Sequence, residues 1–369
     1  TQGVSSAASD VYKRQPKIWS SNVPNFFSQR SKEIRQQILQ GQQVSECQFC
    51  YNVDNNKGHS DRKLWSYDYG SKFSLFSQDD LAKNTNIKFF HLNLDNQCNL
   101  LCRMCNPHSS NLIAKEYQEL KLQNISIPIK QKEEILDPTD FEDLEELIVT
   151  GGEPTINRNF LDFLKNLKDE KKSTLGIMIS TNAAVFNQDL KLIINQFPRM
   201  QFAVSIDGFG DLNYYIRWPS VWEKVENNIK FLQEQNKLSH FNITVSIYNI
   251  NYLYEFYRWV DQQYPEIPCF MKLINNPTHQ VPWNYPNHAE VKIGLEKIKK
   301  LKIYNMNQSL RDNISYIEEK LNCWNFDVDL LEKFYTFNNL LDNNRQVYLK
   351  DYNRELADYC HEYFMNKNV

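Results

Sequence analysis

At 369 residues the chain is long enough to bury a full core without disulfide staples, as one large domain or two to three smaller parts. Its 42 basic and 45 acidic residues leave a net charge of −3, which argues against a nucleic-acid or membrane-surface protein. No apolar run approaches the ~18 residues of a membrane span, and no charged-then-apolar signal opens the chain. The expected location is therefore cytoplasmic, where eight cysteines point to metal ligands or free thiols over disulfides.

Residues 1–15 are small and polar, with no helical or strand period. They read as a leader foreign to the fold, left by gene assembly, or as a disordered natural terminus. Residues 16–86 form a polar N-terminal extension. A helix is expected from about Phe27 to Leu39, where Ile34, Ile38 and Leu39 recur at helical spacing, and a C-x2-C pair, Cys47 and Cys50, follows. From residue 87 to 281 the rhythm changes. Strands are expected at Phe89–Leu94, Leu147–Thr150, Leu175–Ser180, Phe202–Ile206, Ile243–Ile247 and Phe270–Ile274. Amphipathic segments fall between them near 110–123, 158–170, 187–197, 220–235 and 251–263, the fourth opening on a capping box of Ser220 and Glu223. A polar insert occupies 124–140.

Such alternation predicts an α/β fold with a parallel sheet and right-handed crossovers. Six units are fewer than the eight of a closed barrel of ~250 residues. A partial (β/α)6 TIM-type barrel fits the length, and a doubly wound sheet fits the alternation. Residues 282–369 read as a helical C-terminal region, with helices near 287–302, 307–321, 327–340 and 351–365. The basic run Lys297, Lys299, Lys300 and Lys302 reads as a solvated helix face.

Three cysteines, Cys98, Cys102 and Cys105, stand in a C-x3-C-x2-C loop directly after the first strand. Three thiolates on one tight loop can hold three corners of an iron–sulfur cube and leave the fourth iron open for chemistry. A zinc knuckle is the alternative, though structural zinc usually takes cysteines as pairs. At the end of the second strand comes Gly151-Gly152-Glu153-Pro154. Glycines there would let a ligand lie against the backbone, and the glutamate would accept hydrogen bonds from an ammonium group; a tight strand-to-helix turn is the plainer reading.

With Ser180-Thr181-Asn182 after the third strand and Ser205-Ile206-Asp207-Gly208 after the fourth, these motifs make the chain resemble the radical S-adenosylmethionine (SAM) enzymes. The resemblance implies a [4Fe–4S] cluster on Cys98, Cys102 and Cys105. The open iron would be chelated by SAM, whose reductive cleavage gives a 5′-deoxyadenosyl radical that abstracts hydrogen from substrate. It implies that Met104, before the third cysteine, packs near adenine in place of the family's frequent aromatic. Glu153 would hold the methionine ammonium, with Gly151 and Gly152 letting the ligand lie against the backbone; Ser180 or Asn182 would lie near the ribose, and Ser205 and Arg217 near the methionine carboxylate. A guanidinium suits that carboxylate bidentately. Asp207 is expected to cap the next turn or to touch ligand.

The longer string through Tyr215-Ile216-Arg217-Trp218 and Trp222-Glu223-Lys224-Val225 is similar to the twitch/SPASM-like branch, whose relatives modify peptides. The C-terminal region would then be twitch-like and the substrate a peptide. Oxidation of a small molecule (sugar, nucleoside or antibiotic precursor) and a non-catalytic Fe–S or zinc protein are the alternatives. Twitch and SPASM regions bind auxiliary clusters through grouped cysteines. Here Cys269, Cys323 and Cys360 stand alone. Cys47 and Cys50, joined by Cys269 and Cys323, are candidate ligands of a second metal site, cluster or zinc; two buried or loop thiols are the alternative. Cluster reduction implies a flavodoxin- or ferredoxin-type electron donor. Neither membrane nor nucleic acid is an expected partner.

Overall fold

The apolar runs of the middle of the chain pair into one six-stranded sheet, in the order β1-β2-β3-β4-β5-β6. The strands are β1 (Phe89–Asn93), β2 (Glu146–Thr150), β3 (Gly176–Thr181), β4 (Met200–Ser205), β5 (Leu238–Val245) and β6 (Cys269–Leu273). The computed structural model describes residues 29–55, 88–122 and 142–365. The leader 1–15 and the polar insert 124–140 lie outside the described residues. Two compact units divide the chain, residues 1–93 with 132–147, and residues 94–131 with 148–369.

In the first unit, α1 (Gln29–Leu39) matches the expected helix, and α2 (Gln48–Asn55) carries Cys50. Arg30 reaches Glu46 at 2.6 Å across the intervening turn. Among its described residues, Val44, Tyr51 and Leu144 are the buried hydrophobic side chains outside the strands.

Spatial order that follows chain order is the winding of a partial barrel. A doubly wound sheet would reverse direction at a switch point. The β3–β4, β4–β5 and β5–β6 pairs are all parallel, with Ile179 opposite Phe202 and Ile243 opposite Met271. Strands covered on both faces read as nearly continuous apolar runs. Accordingly Phe202, Ala203 and Val204 of β4 are all buried.

Crossover helices are α3 (Asn111–Glu119), α4 (Arg158–Asn166), α5 (Asp169–Thr174), α6 (Gln188–Gln196), α7 (Asp211–Ile216), α8 (Trp222–Glu234) and α9 (Leu253–Gln263). Each longer one buries a stripe at helical spacing, such as Leu190, Ile193 and Ile194 of α6, or Val225, Ile229 and Leu232 of α8. Asparagine caps recur. Asn157, Asn187, Asn287 and Asn307 each accept a backbone N–H of the first turn that follows. After β6 the chain is helical, through α10 (His288–Ile298), α11 (Lys302–Met306), α12 (Gln308–Cys323), α13 (Val328–Arg345) and α14 (Arg354–Met365).

Three local expectations differ from the structure. The helix expected over 158–170 breaks at Leu167, which turns extended to bury its side chain. β5 begins at Leu238, five positions before the expected start, because Leu238 and Phe241 are buried between polar neighbours. The capping box at Ser220 does not form. Helix α8 starts at Trp222 with an uncapped Val221, and the Ser220 hydroxyl, turned inward, accepts from Asn213 Nδ2 at 3.4 Å.

Candidate active site

All residues of the site lie in the second unit. The cysteine loop leaves the sheet after β1 and ends at α3, whose first turn is capped by Ser110. Its backbone is held from several sides. Cys98 N donates to Asn111 Oδ1 (3.3 Å), Leu101 N to Trp218 O (2.7 Å) and Arg103 N to Ile216 O (2.9 Å). Cys105 N closes a turn on Cys102 O at 3.0 Å. All three thiols are free and half-buried.

Burial pushes the Cys98 thiol up to about 11, with Glu153 and Cys105 adding to the rise. Burial also raises Cys102, against the Arg217 charge and with Cys105 and Cys98, and raises Cys105. The three sulfurs thus share one electrostatic neighbourhood, the donor set that a cluster's irons would hold as thiolates. Among the described residues no three His, Cys, Asp or Glu side chains, this triad included, are drawn together tightly enough to hold a metal ion as they stand. A cube spreads its thiolates over separate irons, so the fit to a cluster rests on donor chemistry and a shared loop.

The end of β2 is stitched to the stretch entering the loop. Leu94 N donates to Thr150 O, Gly152 N to Asp95 O (2.9 Å) and Glu153 N to Gln97 O (2.8 Å). Gly151 sits at φ +134°, where a side chain is strained, and a Cβ on Gly152 would strike the carbonyl of Gln97. The glycines therefore let the cysteine segment lie directly on the strand end. Glu153 is 2 % exposed. Its Oε1 accepts from Thr155 N (3.2 Å), Thr155 Oγ1 (2.7 Å) and Thr181 Oγ1 (2.7 Å), and its Oε2 from Asn182 N (2.7 Å). Burial pushes this carboxyl up, against those donated bonds. Asn182 reaches on to the cysteine loop, donating from Nδ2 to Asn99 Oδ1 at 2.8 Å.

On the other side, Arg217 Nε lies 2.6 Å from Asp207 Oδ2, a close ion pair without the alignment of a hydrogen bond. Asp207 Oδ1 accepts from Thr244 N at 2.7 Å, and Asn249 Nδ2 donates to the Asp207 carbonyl. Asp207 therefore ties β4 to β5 and holds Arg217. Burial works against the Arg217 charge, but Asp207 and the Cys102 and Cys105 sulfurs push its pKa up.

Met104 and Ser205 are half-buried, as is Ser180 on β3. The Ser180 and Ser205 hydroxyls make no hydrogen bond among the described residues, and both stand one residue or less from their strand ends. Cys47 and Cys50 belong to the first unit, Cys269 and Cys323 to the second, where Cys269 is buried and Cys323 is exposed at the end of α12. Sequence reasoning missed Thr181 and Asn99, which bridge motifs, and Arg103. The polar residues flanking each motif were the available signal.

The sequence profile described as the radical SAM superfamily matches residues 92–260. A GTP 3′,8-cyclase of Synechocystis sp. is 30 % identical over 111 residues, 28 % of this chain and 29 % of that protein. A GTP 3′,8-cyclase of Desulforamulus reducens is 21 % identical over 160 residues, 42 % of this chain and 47 % of that one. The match thus spans less than half the length of either curated relative. Among solved structures, "Native anSMEcpe with bound AdoMet" is 14 % identical at a TM-score of 0.38, covering 56 % of this chain and 60 % of that one. Streptococcus suis SuiB bound to S-adenosylmethionine is 13 % identical at a TM-score of 0.38, covering 65 % and 60 %. The superfamily implies a [4Fe–4S] cluster and SAM. Residues 92–260, which carry the cysteine loop and the three later strand-end motifs, match the radical SAM superfamily.

Proposed function

We propose that the chain is a radical SAM enzyme whose cluster is held by Cys98, Cys102 and Cys105. One observation carries this reading. The cysteine loop is hydrogen-bonded to both neighbours of Arg217, at Ile216 O and Trp218 O, and is joined to Glu153 through Gln97 O and through Asn182, so a guanidinium and a carboxyl both stand by the thiol triad. A zwitterionic amino acid group at an open iron needs that pair of charges.

Glu153 Oε1 already takes three donors, so an ammonium would be met by Oε2, which takes one. Asp207 fixes Arg217 at Nε and leaves the outer guanidinium nitrogens for a carboxylate. Met104, Gly151, Gly152, Ser180, Asn182 and Ser205 complete the rim we assign to SAM. When bound, cluster and SAM supply one-electron cleavage of a sulfonium and hydrogen abstraction from substrate. A flavodoxin- or ferredoxin-type donor would serve as reductant.

For the substrate we favour a peptide, on the string from Ser205 to Val225. A nucleotide is the second reading, favoured by the two GTP 3′,8-cyclases among the relatives. Incubating the reduced enzyme with GTP and following products by mass spectrometry separates the two.

The test of the enzyme reading is cleavage of SAM. Anaerobically reconstituted, dithionite-reduced protein should release 5′-deoxyadenosine and methionine, and Cys98→Ala, Cys102→Ala and Cys105→Ala should each abolish it. Intact SAM after incubation with cluster-loaded protein and lysate, or full turnover by all three variants, sinks the assignment. Iron analysis tests whether Cys47 and Cys50 hold a second cluster. About four iron atoms per chain, unchanged by Cys47→Ala/Cys50→Ala, would rule out a second cluster.

A further inference from the structure

Between the second and third cysteines stands Arg103, 1 % exposed and pointing away from the thiols into the protein. Its Nε donates to Tyr215 O (3.0 Å) and its Nη1 to Asn338 Oδ1 (2.8 Å). Its Nη2 pairs with Asp342 Oδ1 (2.7 Å) and reaches Val347 O at 3.5 Å. The guanidinium carbon sits over the Tyr215 ring, 3.7 Å from its centroid. The acceptors are themselves fixed. Asp342 accepts from Tyr215 OH (2.9 Å) and Leu349 N (2.8 Å), and Asn338 Nδ2 donates to Asp342 Oδ2 (3.2 Å). The main chain is pinned too, with Arg103 N on Ile216 O (2.9 Å) and Arg103 O accepting from Gln280 Nε2 (3.0 Å).

We infer that Arg103 is a positioning residue. It is a strut through which helix α13 sets the conformation of the Cys98–Cys105 loop, and so the presentation of the cluster and its open iron. The reasoning is one of reach and stiffness. Burying a guanidinium is unfavourable unless its hydrogen-bonding groups are met, and an apolar side chain of similar volume would hold a core about as well. Here a planar fork is met by fixed acceptors in several directions, on α13, at the end of α7 and after α13. One residue from Cys102 and two from Cys105, that leaves the loop little freedom to rotate. Lysine, a point charge on a flexible stem, cannot reproduce the fork.

The inference rests on the enzyme reading above only where it speaks of the cluster. Its test uses the full chain and two variants. Arg103→Lys keeps the charge and loses the fork, while Asp342→Asn weakens the anchor without touching the loop. Both should keep the parent's far-ultraviolet circular dichroism. In the cluster-free chain, amide exchange over residues 98–105 should rise about tenfold or more in each, with β4 and β5 unchanged. In the reconstituted chain, the electron paramagnetic resonance spectrum of the reduced cluster and its response to SAM should change.

Parent-like loop exchange and parent-like spectra in both variants overturn the strut. So does global unfolding of both, because Arg103 would then serve the whole fold and not the loop. A parent chain that takes up no cluster, or whose spectrum ignores SAM, overturns the enzyme reading alone. Loop exchange is read without iron or SAM and still decides for or against the strut.

Discussion

A methyl group at Gly152 would meet the backbone carbonyl of Gln97, and backbone cannot swing aside as a side chain can. Gly152→Ala should therefore cost about 3 kcal/mol, the upper range of overpacking, and move the cysteine segment off the end of β2. Gly210 offers the contrast. It has φ 62° and ψ −135° and nothing within 4 Å of its ideal Cβ, so Gly210→Ala should cost backbone strain alone, about 2 kcal/mol. Urea midpoints of the two variants are the measurement, and equal costs would contradict the steric account. Sequence reading placed Gly151 and Gly152 at a strand end, where a side chain would be out of place. In the structure Asp95, Asn96 and Gln97 lie against that strand end, a neighbour that no local pattern announces.

Helices α3 and α13 meet through a second buried charge contact. Arg345 donates to Glu116 through Nε (2.8 Å) and Nη2 (2.5 Å), and Asn344 Nδ2 adds a bond at 3.2 Å. Around it Ile113, Tyr117 and Leu341 form an apolar cluster that Leu101 and Cys105 pack against, and Phe337 stands edge-on to Tyr117. Removing one member of a buried pair strands the other, so Glu116→Gln should lose about 3 kcal/mol. The double replacement Glu116→Leu/Arg345→Met should recover most of it. A double variant as unstable as the single would show that the pair, and not the stranded charge, carries the energy. By contrast the solvent-exposed Arg30–Glu46 pair should add little to stability.

Residues 92–260 match the superfamily, yet part of what braces its cysteine loop comes from further on, from Gln280, Asn338, Asp342 and Val347. The fragment 92–260 alone should therefore melt without a cooperative transition, whereas the whole chain should melt cooperatively; a sharp transition in the fragment would show the domain to be self-sufficient. Strand and helix periodicity made the six-stranded winding legible, since alternation is written into neighbouring residues. The cysteine loop and Gly151–Glu153 were legible because their residue types are unusual at that spacing. The rest was not. Leu167 leaves its helix to bury a side chain, Ser220 turns inward to Asn213, and Arg103 finds its partners far along the chain. Each depends on tertiary neighbours that spacing along the chain does not encode. Among the described residues no helix is long and apolar enough to cross a membrane.

The separation between Arg103 and its anchors also has a meaning in time. Asn338 lies 235 residues and Val347 lies 244 residues after Arg103. At ~5–20 residues per second, the ribosome delivers those anchors roughly ten to fifty seconds after it delivers the cysteines. During that interval the nascent chain presents three thiols on a loop that lacks its α13 anchors. Iron loading that requires the braced loop must therefore wait until α13 has been synthesised and has docked.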